Sequence, residues 1–157
     1  MKHTIVAIVD NKPGVVSRIS GMFTRRGYNI ESFVTSVTGD ESIYHLTFTV
    51  IGTQSETEQL ISQLGHVSEV IEVYEMSVSV PHVTRELMFV RVACPKESRP
   101  QLISFISEMN YKAVGESETN AVVEVTGEPA VLDEAVQSLS NFGEISIARS
   151  GAVSILI

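Results

Sequence analysis

The sequence predicts an α+β protein made of two consecutive βαββαβ domains. Three observations predict it. Short apolar runs bounded by glycine, proline and polar turn residues read as strands, and four stretches with apolar residues three and four apart read as helices. The order strand, helix, strand, strand, helix, strand then occurs twice, with Pro81 between the halves. Each half matches a ferredoxin-like split βαβ unit, an antiparallel four-stranded sheet with both helices on one face. A chain of 157 residues with 43% hydrophobic content is long enough for one medium domain or two small ones, and the repeated order favours two.

Thr4 to Asp10 places Ile5, Ala7 and Val9 on one face and Val6 and Ile8 on the other, as in a central strand. Val15, Ile19, Met22 and Phe23 then form a helical stripe. Arg25 and Arg26 complement the dipole of its last turn, and Gly27 supplies a left-handed stop. Tyr28 to Thr38 and Ile43 to Val50 read as strands joined by the turn Thr38-Gly39-Asp40-Glu41-Ser42. Thr53 and Glu56 have capping-box spacing for a second helix, with Leu60, Ile61 and Leu64 inward and Gly65 at its end. Val67 to Met76 closes the first domain, residues 1–77.

Residues 78–85, with Pro81 after Val78 and Val80, read as a linker. In the second domain, 86–157, Leu87 to Ala93 is a strand, and Leu102, Phe105, Ile106 and Met109 form a helical stripe. Tyr111 to Glu116 and Ala121 to Thr126 flank a turn at Glu118-Thr119-Asn120. Gly127-Glu128-Pro129 opens the last helix, with Val131, Leu132, Ala135, Val136 and Leu139 toward the core. Glu144 to Ile155 is a final strand or strand pair. The two halves share topology without visible residue identity.

In the first domain the sheet face away from the helices is expected to carry Val6, Ile8, Ile43 and Val73. These are too apolar to leave bare, which implies a partner: a homodimer or a docking subunit.

A net charge of −8, with eleven scattered Lys and Arg, argues against nucleic acid. Cys94, the sole cysteine, leaves no disulfide and no Cys-based metal site, and reads as a core residue ending a strand. No apolar run approaches a membrane span, and the N-terminus leads straight into a strand, so the expectation is a soluble, unprocessed, cytoplasmic chain. His3, His45, His66 and His82 are dispersed without metal-ligand spacing, and there is no nucleophile elbow or phosphate loop. No catalytic residue and no metal site is assigned.

The stretch with chemistry is Asp10-Asn11-Lys12-Pro13-Gly14-Val15-Val16, which joins the first strand to the first helix. Pro13 presets φ, Gly14 permits a turn that a side chain would resist, and free N–H groups at a positive helix end suit a small anion such as a carboxylate. Any strand-to-helix turn shares some of this.

Within the βαββαβ order, Asp10-Asn11-Lys12-Pro13-Gly14-Val15-Val16-Ser17-Arg18 resembles the ligand loop of ACT domains, modules that sense amino acids. Arg26-Gly27-Tyr28-Asn29-Ile30-Glu31-Ser32, Arg85-Glu86-Leu87-Met88-Phe89-Val90 and Ala148-Arg149-Ser150-Gly151 resemble, in order, signatures of the acetolactate synthase (acetohydroxyacid synthase) small-subunit family. The resemblance implies a non-catalytic regulatory subunit without a cofactor of its own. Its partner would be a large catalytic subunit carrying thiamine diphosphate, Mg and often FAD. That subunit would be activated by this chain and made sensitive to feedback by a branched-chain amino acid, usually valine.

The resemblance also implies a homodimer through the ACT domain, with effector at its interface. One protomer would supply Asn11, Pro13, Gly14, Val15 and Val16, and the other Asn29 and Ile30. Amides of Gly14, Val15 and Val16 suit a carboxylate, and Asn11 or Asn29 an ammonium. Read alone, Asn29 is equally a turn residue and Arg149 a surface cation. Two departures bear on the transfer: Ser36-Val37-Thr38 stands where relatives often carry Ala-Pro-Thr, and the chain stops at Ile157 soon after Ala148-Arg149-Ser150-Gly151. The alternatives are a free-standing amino-acid sensor with another target, and an acylphosphatase-like hydrolase, for which the loop lacks arginine.

Overall fold

A computed structural model describes residues 1–77 and 79–157; Val78, in the expected linker, lies outside the described residues. Two units are distinct: residues 1–83 with 152–157, and residues 84–151.

In the first unit β1 (Lys2–Asp10), β2 (Asn29–Val37), β3 (Ile43–Ile51) and β4 (Val70–Met76) form an antiparallel sheet of order β2-β3-β1-β4. β1 is central, as its two-sided apolar character requires. The helices α1 (Val15–Arg26) and α2 (Gln54–Leu64) share one core with Ile5, Ala7, Val9, Leu46 and Phe48, all without exposure. Phe48 holds it together: its ring lies 4.9 Å from that of Phe23 and 4.7 Å from that of Phe33. The caps follow the residues that call for them. Gly27 closes α1 at φ 68°, and Thr53 and Glu56 form a reciprocal capping box at the start of α2.

The second face of this sheet departs from expectation. Val73 packs on the helix side, opposite Ala7, and belongs to the core. Val6 does lie on the far face but is 2% exposed, because the chain's own terminus covers it. The segment 152–157, with β9 (Val153–Leu156), lies against β1, and the Ile157 N–H donates to the Pro81 carbonyl at 3.1 Å. Ser154 and Thr47 are buried there, so Val6 calls for no second protein. Apolar alternation reveals that residues 153–156 are a strand, but not which sheet they join. The last six residues, read from sequence as part of an 86–157 domain, therefore sit with the first unit.

His45 lies on this covered face, across from Ile8, and makes a hydrogen bond with the Ser154 backbone. Desolvation lowers its pKa below the ordinary histidine value, against an opposing effect of the Ser154 bond. The neutral ring is thus favoured in the folded state. Its contribution is present above the unfolded value of about 6.5 and is lost as pH falls through the lower folded value. An NMR titration is expected to place the His45 midpoint below 6.5, and a chain ending at Gly151 to bring it back up; a midpoint unchanged by that truncation would contradict the covering role.

In the second unit β5 (His82–Ala93), β6 (Lys112–Glu116), β7 (Asn120–Gly127) and β8 (Ile145–Arg149) form a sheet of order β6-β7-β5-β8, the same succession as in the first. β5 begins at His82, so much of the expected linker is strand, with Pro81 just outside where it breaks no ladder. The helices α3 (Arg99–Glu108) and α4 (Pro129–Leu139) cover this sheet through Leu102, Ile106, Leu132, Ala135 and Leu139. Cys94 is fully buried in the same core. Met109 and Val131 were expected inside but are 43% and 41% exposed. Met109 falls just past the end of α3, and Val131 lies in the first turn of α4, on its outer side.

Arg149 is exposed, but it is not a free surface cation. Its Nε and Nη2 donate to the two carboxylate oxygens of buried Glu86 at 2.9 and 2.7 Å, and Nη1 donates to Asp133 at 2.6 Å. Glu86 also accepts the Gly151 N–H at 3.2 Å, and the Ser150 hydroxyl accepts the Leu87 N–H at 3.1 Å. Two stretches 63 residues apart are thereby clamped just before the turn at Gly151, φ 81°.

Candidate functional site

The loop after β1 is held from below and open above. The Asn11 N–H and Nδ2 donate to the carbonyls of Ser42 and Glu41, each at 2.7 Å, and the Asp10 N–H donates to the Glu69 carbonyl at 2.8 Å. Neighbouring turns thus fix Asn11 and leave its Oδ1 as an acceptor. Gly14 is left-handed, φ 83°, ψ −2°, and caps α1 without a side-chain bond. Arg18 makes the first helical bond, to the Gly14 carbonyl at 2.9 Å, while the Val15 N–H turns back to the Lys12 carbonyl at 3.2 Å. The Gly14, Val16 and Ser17 amides are therefore the donors left for a guest at the positive helix end. Ser17 replaces Val15 in the set expected from sequence.

The charges around the loop are largely satisfied. Lys12 pairs with Asp10 at 2.5 Å, and this hydrogen bond raises its pKa. Arg18 pairs with Glu69, whose carboxyl is held below the usual range by Arg18 first and then by Ser68. What remains for a guest is backbone N–H and carbonyl chemistry beside apolar surface.

Asn11 to Ser17 line an open cleft of about 780 Å³, together with Ser20 and Tyr44. Neither Ser20 nor Tyr44 is evident from sequence as a site residue. Tyr44 stands across from Val9 at the end of β1, a neighbour that only strand register reveals, and Ser20 follows Val16 by one helical turn. Pro13 and Gly14 are exposed, Val15 is buried as the first core residue of α1, and Val16 is half-buried.

Asn29 and Ile30 are elsewhere. Both Asn29 and Lys2 pair with Ile51, at the opposite end of the sheet from Asp10, which pairs with Ile43. Eight residues of β3 separate these levels, about 26 Å at ~3.3 Å per residue. Asn29 is exposed; Ile30 packs on the helix-side core. One copy of the chain does not bring the two expected halves together.

Residues 5–72 match the model of the AHAS small subunit-like ACT domain, and residues 85–156 that of the small subunit of acetolactate synthase. A probable acetolactate synthase small subunit of Archaeoglobus fulgidus is 35% identical over 99% of this chain and 97% of its own length. The chain belongs to the acetolactate synthase small-subunit family. The acetolactate synthase small subunit of Mycolicibacterium smegmatis is 33% identical over 98% of this chain and 89% of its own. The crystal structure of the Thermotoga maritima acetolactate synthase small subunit aligns with a TM-score of 0.85 and 25% identity, covering 100% of this chain and 98% of that one.

Membership with an ACT domain supports a regulatory role. It also gives the small-subunit signatures a physical meaning here: Arg85-Glu86 and Ala148-Arg149-Ser150-Gly151 are the two sides of the Glu86–Arg149 clamp. Among the described residues no group of three or more His, Cys, Asp or Glu side chains could hold a metal ion, and no helix is long and apolar enough to cross a membrane.

Proposed function

We propose that this chain is the regulatory subunit of an acetolactate synthase, activating a thiamine-diphosphate-dependent large subunit and transmitting feedback by a branched-chain amino acid, valine first. The observation that carries the effector site is the Asn11–Ser17 loop: a left-handed Gly14, unspent amides at Gly14, Val16 and Ser17, an open Asn11 Oδ1, and Val16 at the edge of the cleft. The amides take the carboxylate, Asn11 and nearby carbonyls take the ammonium, and apolar side chains enclose the isopropyl group. The other half, Asn29 and Ile30, comes from a second copy, since one sheet holds it about 26 Å away. Thiamine diphosphate, Mg and FAD, where used, belong to the large subunit.

The test is an activity assay of the cognate catalytic subunit with and without this chain, titrated with valine, leucine and isoleucine. Higher activity on addition, then inhibition by one of the three, is the expected result. Absence of any effect on the catalytic subunit would leave the free-standing sensor. Calorimetry of the chain alone adds a second check. Binding is expected to weaken on dilution below the dimer dissociation constant, and concentration-independent binding by monomer would count against a shared pocket.

A further inference from the structure

The second unit holds a concave site that the sensing loop does not account for. Arg99 opens α3, where the positive helix end disfavours a cation, yet it is only 7% exposed. Its Nη2 donates to the carbonyls of Cys94, Ser117 and Asn120 at 3.1, 2.7 and 3.4 Å, and its Nη1 to Glu116 at 3.3 Å; among the described residues the Nε–H has no acceptor. The carbonyls are neutral, and the Glu116 side chain is 74% exposed. Among the described residues the buried guanidinium therefore has one carboxylate partner, held from the solvent side, where the ion pair is weak and easily exchanged.

Arg99 also lines a groove of about 310 Å³ between α3 and the edge strand β6, walled by Leu102, Ile103, Ile106, Val114 and Ala121. Ile103 and Val114 stand at its rim, 50% and 49% exposed, and a bulge between Ala113 and Gly115 interrupts the strand beside it. An apolar hollow of this size with a single buried cation has the make-up of a site for a small ligand with a hydrocarbon body and one negative group. Arginine favours carboxylate as that group through charge-assisted hydrogen bonds.

We propose that this groove binds a small aliphatic carboxylate. The hydrocarbon lies against Ile103, Ile106 and Val114, and the carboxylate takes the place of Glu116 on Arg99. The site is independent of the sensing loop: it offers a fixed cation where the loop offers backbone amides.

The experiment is amide NMR of the full chain titrated with 3-methylbutanoate and with its neutral isostere 3-methylbutanamide. Saturable shifts are expected at Ile103, Val114 and Gly115 with the acid, and roughly tenfold weaker binding of the amide, the scale of one screened charge pair. Glu116→Gln removes the competing carboxylate and is expected to tighten acid binding severalfold without changing amide binding. Val114→Asp, at an exposed position that leaves the core intact, is expected to abolish it. No shift at these residues, shifts confined to Asn11–Ser17, equal affinity for acid and amide, or acid binding unchanged by Glu116→Gln would each overturn the proposal.

Discussion

Gly14→Asp is expected to abolish feedback inhibition while the chain stays folded and still activates its partner. A Cβ at Gly14 would meet nothing within 4 Å, so the substitution introduces no clash. It introduces two other effects. At φ 83° a non-glycine residue is strained by about 1–2 kcal/mol, an amount a domain of ordinary stability survives. The new carboxylate also sits where the effector carboxylate is proposed to lie. Like charges about 4 Å apart cost roughly 1–4 kcal/mol at effective dielectrics between those of water and a protein surface, or about tenfold to a thousandfold in affinity.

Gly14→Asn separates the two effects, because Asn tolerates the left-handed region and carries no charge. Calorimetry and inhibition curves should show Asn close to the native chain and Asp without response. Equal loss in both would point to backbone geometry rather than charge, and unchanged inhibition in Gly14→Asp would remove the effector from this loop.

Arg149→Ala is expected to produce the largest loss of stability, about 3–5 kcal/mol, a large share of the 5–15 kcal/mol typical of a native protein. The loss comes from the partner left behind. Glu86 is 7% exposed and would lose the bidentate guanidinium that compensates its buried carboxylate. Denaturant unfolding should show a lower midpoint at unchanged slope. Replacing both members, Glu86→Leu with Arg149→Met, should recover much of the loss, since an apolar pair of similar volume needs no counter-ion. The Gly151 N–H, which loses its acceptor, keeps that recovery incomplete. A loss under about 1 kcal/mol in Arg149→Ala would mark the pair as an ordinary surface bridge.

Much of the fold was legible because its determinants are local. Ile5, Ala7 and Val9 against Val6 and Ile8 identify a strand buried on both sides, and β1 is central. Thr53 with Glu56, and Gly27 after two arginines, mark helix ends through hydrogen bonds made within a few residues. The loop at Asn11 to Val16 was legible for the same reason: Pro13 and Gly14 state their backbone geometry in their own covalent structure.

The rest depends on which distant residues meet. Arg149 looks like a surface cation until Glu86 is placed against it, 63 residues away in sequence. Val73 was assigned to the wrong face because β4 carries a register irregularity at its pairing with Ile8 and Val9, and alternation cannot be carried across it. Arg99 had one sequence signal, a cation in the first turn of a helix where the dipole opposes it, and only its burial gives that oddity meaning.

By itself, then, the sequence determined the two βαββαβ units, their helix stripes and caps, and the glycine turn that opens the first helix, since periodicity and turn chemistry are properties of neighbours along the chain. The tertiary structure alone decided that residues 152–157 cover Val6, that Glu86 and Arg149 form a clamp, and that Asn29 lies at the far end of the sheet from Asn11. Those facts rest on register and on chain reversal over tens of residues, and the free energy that selects them comes from burial and pairing that no local stretch contains.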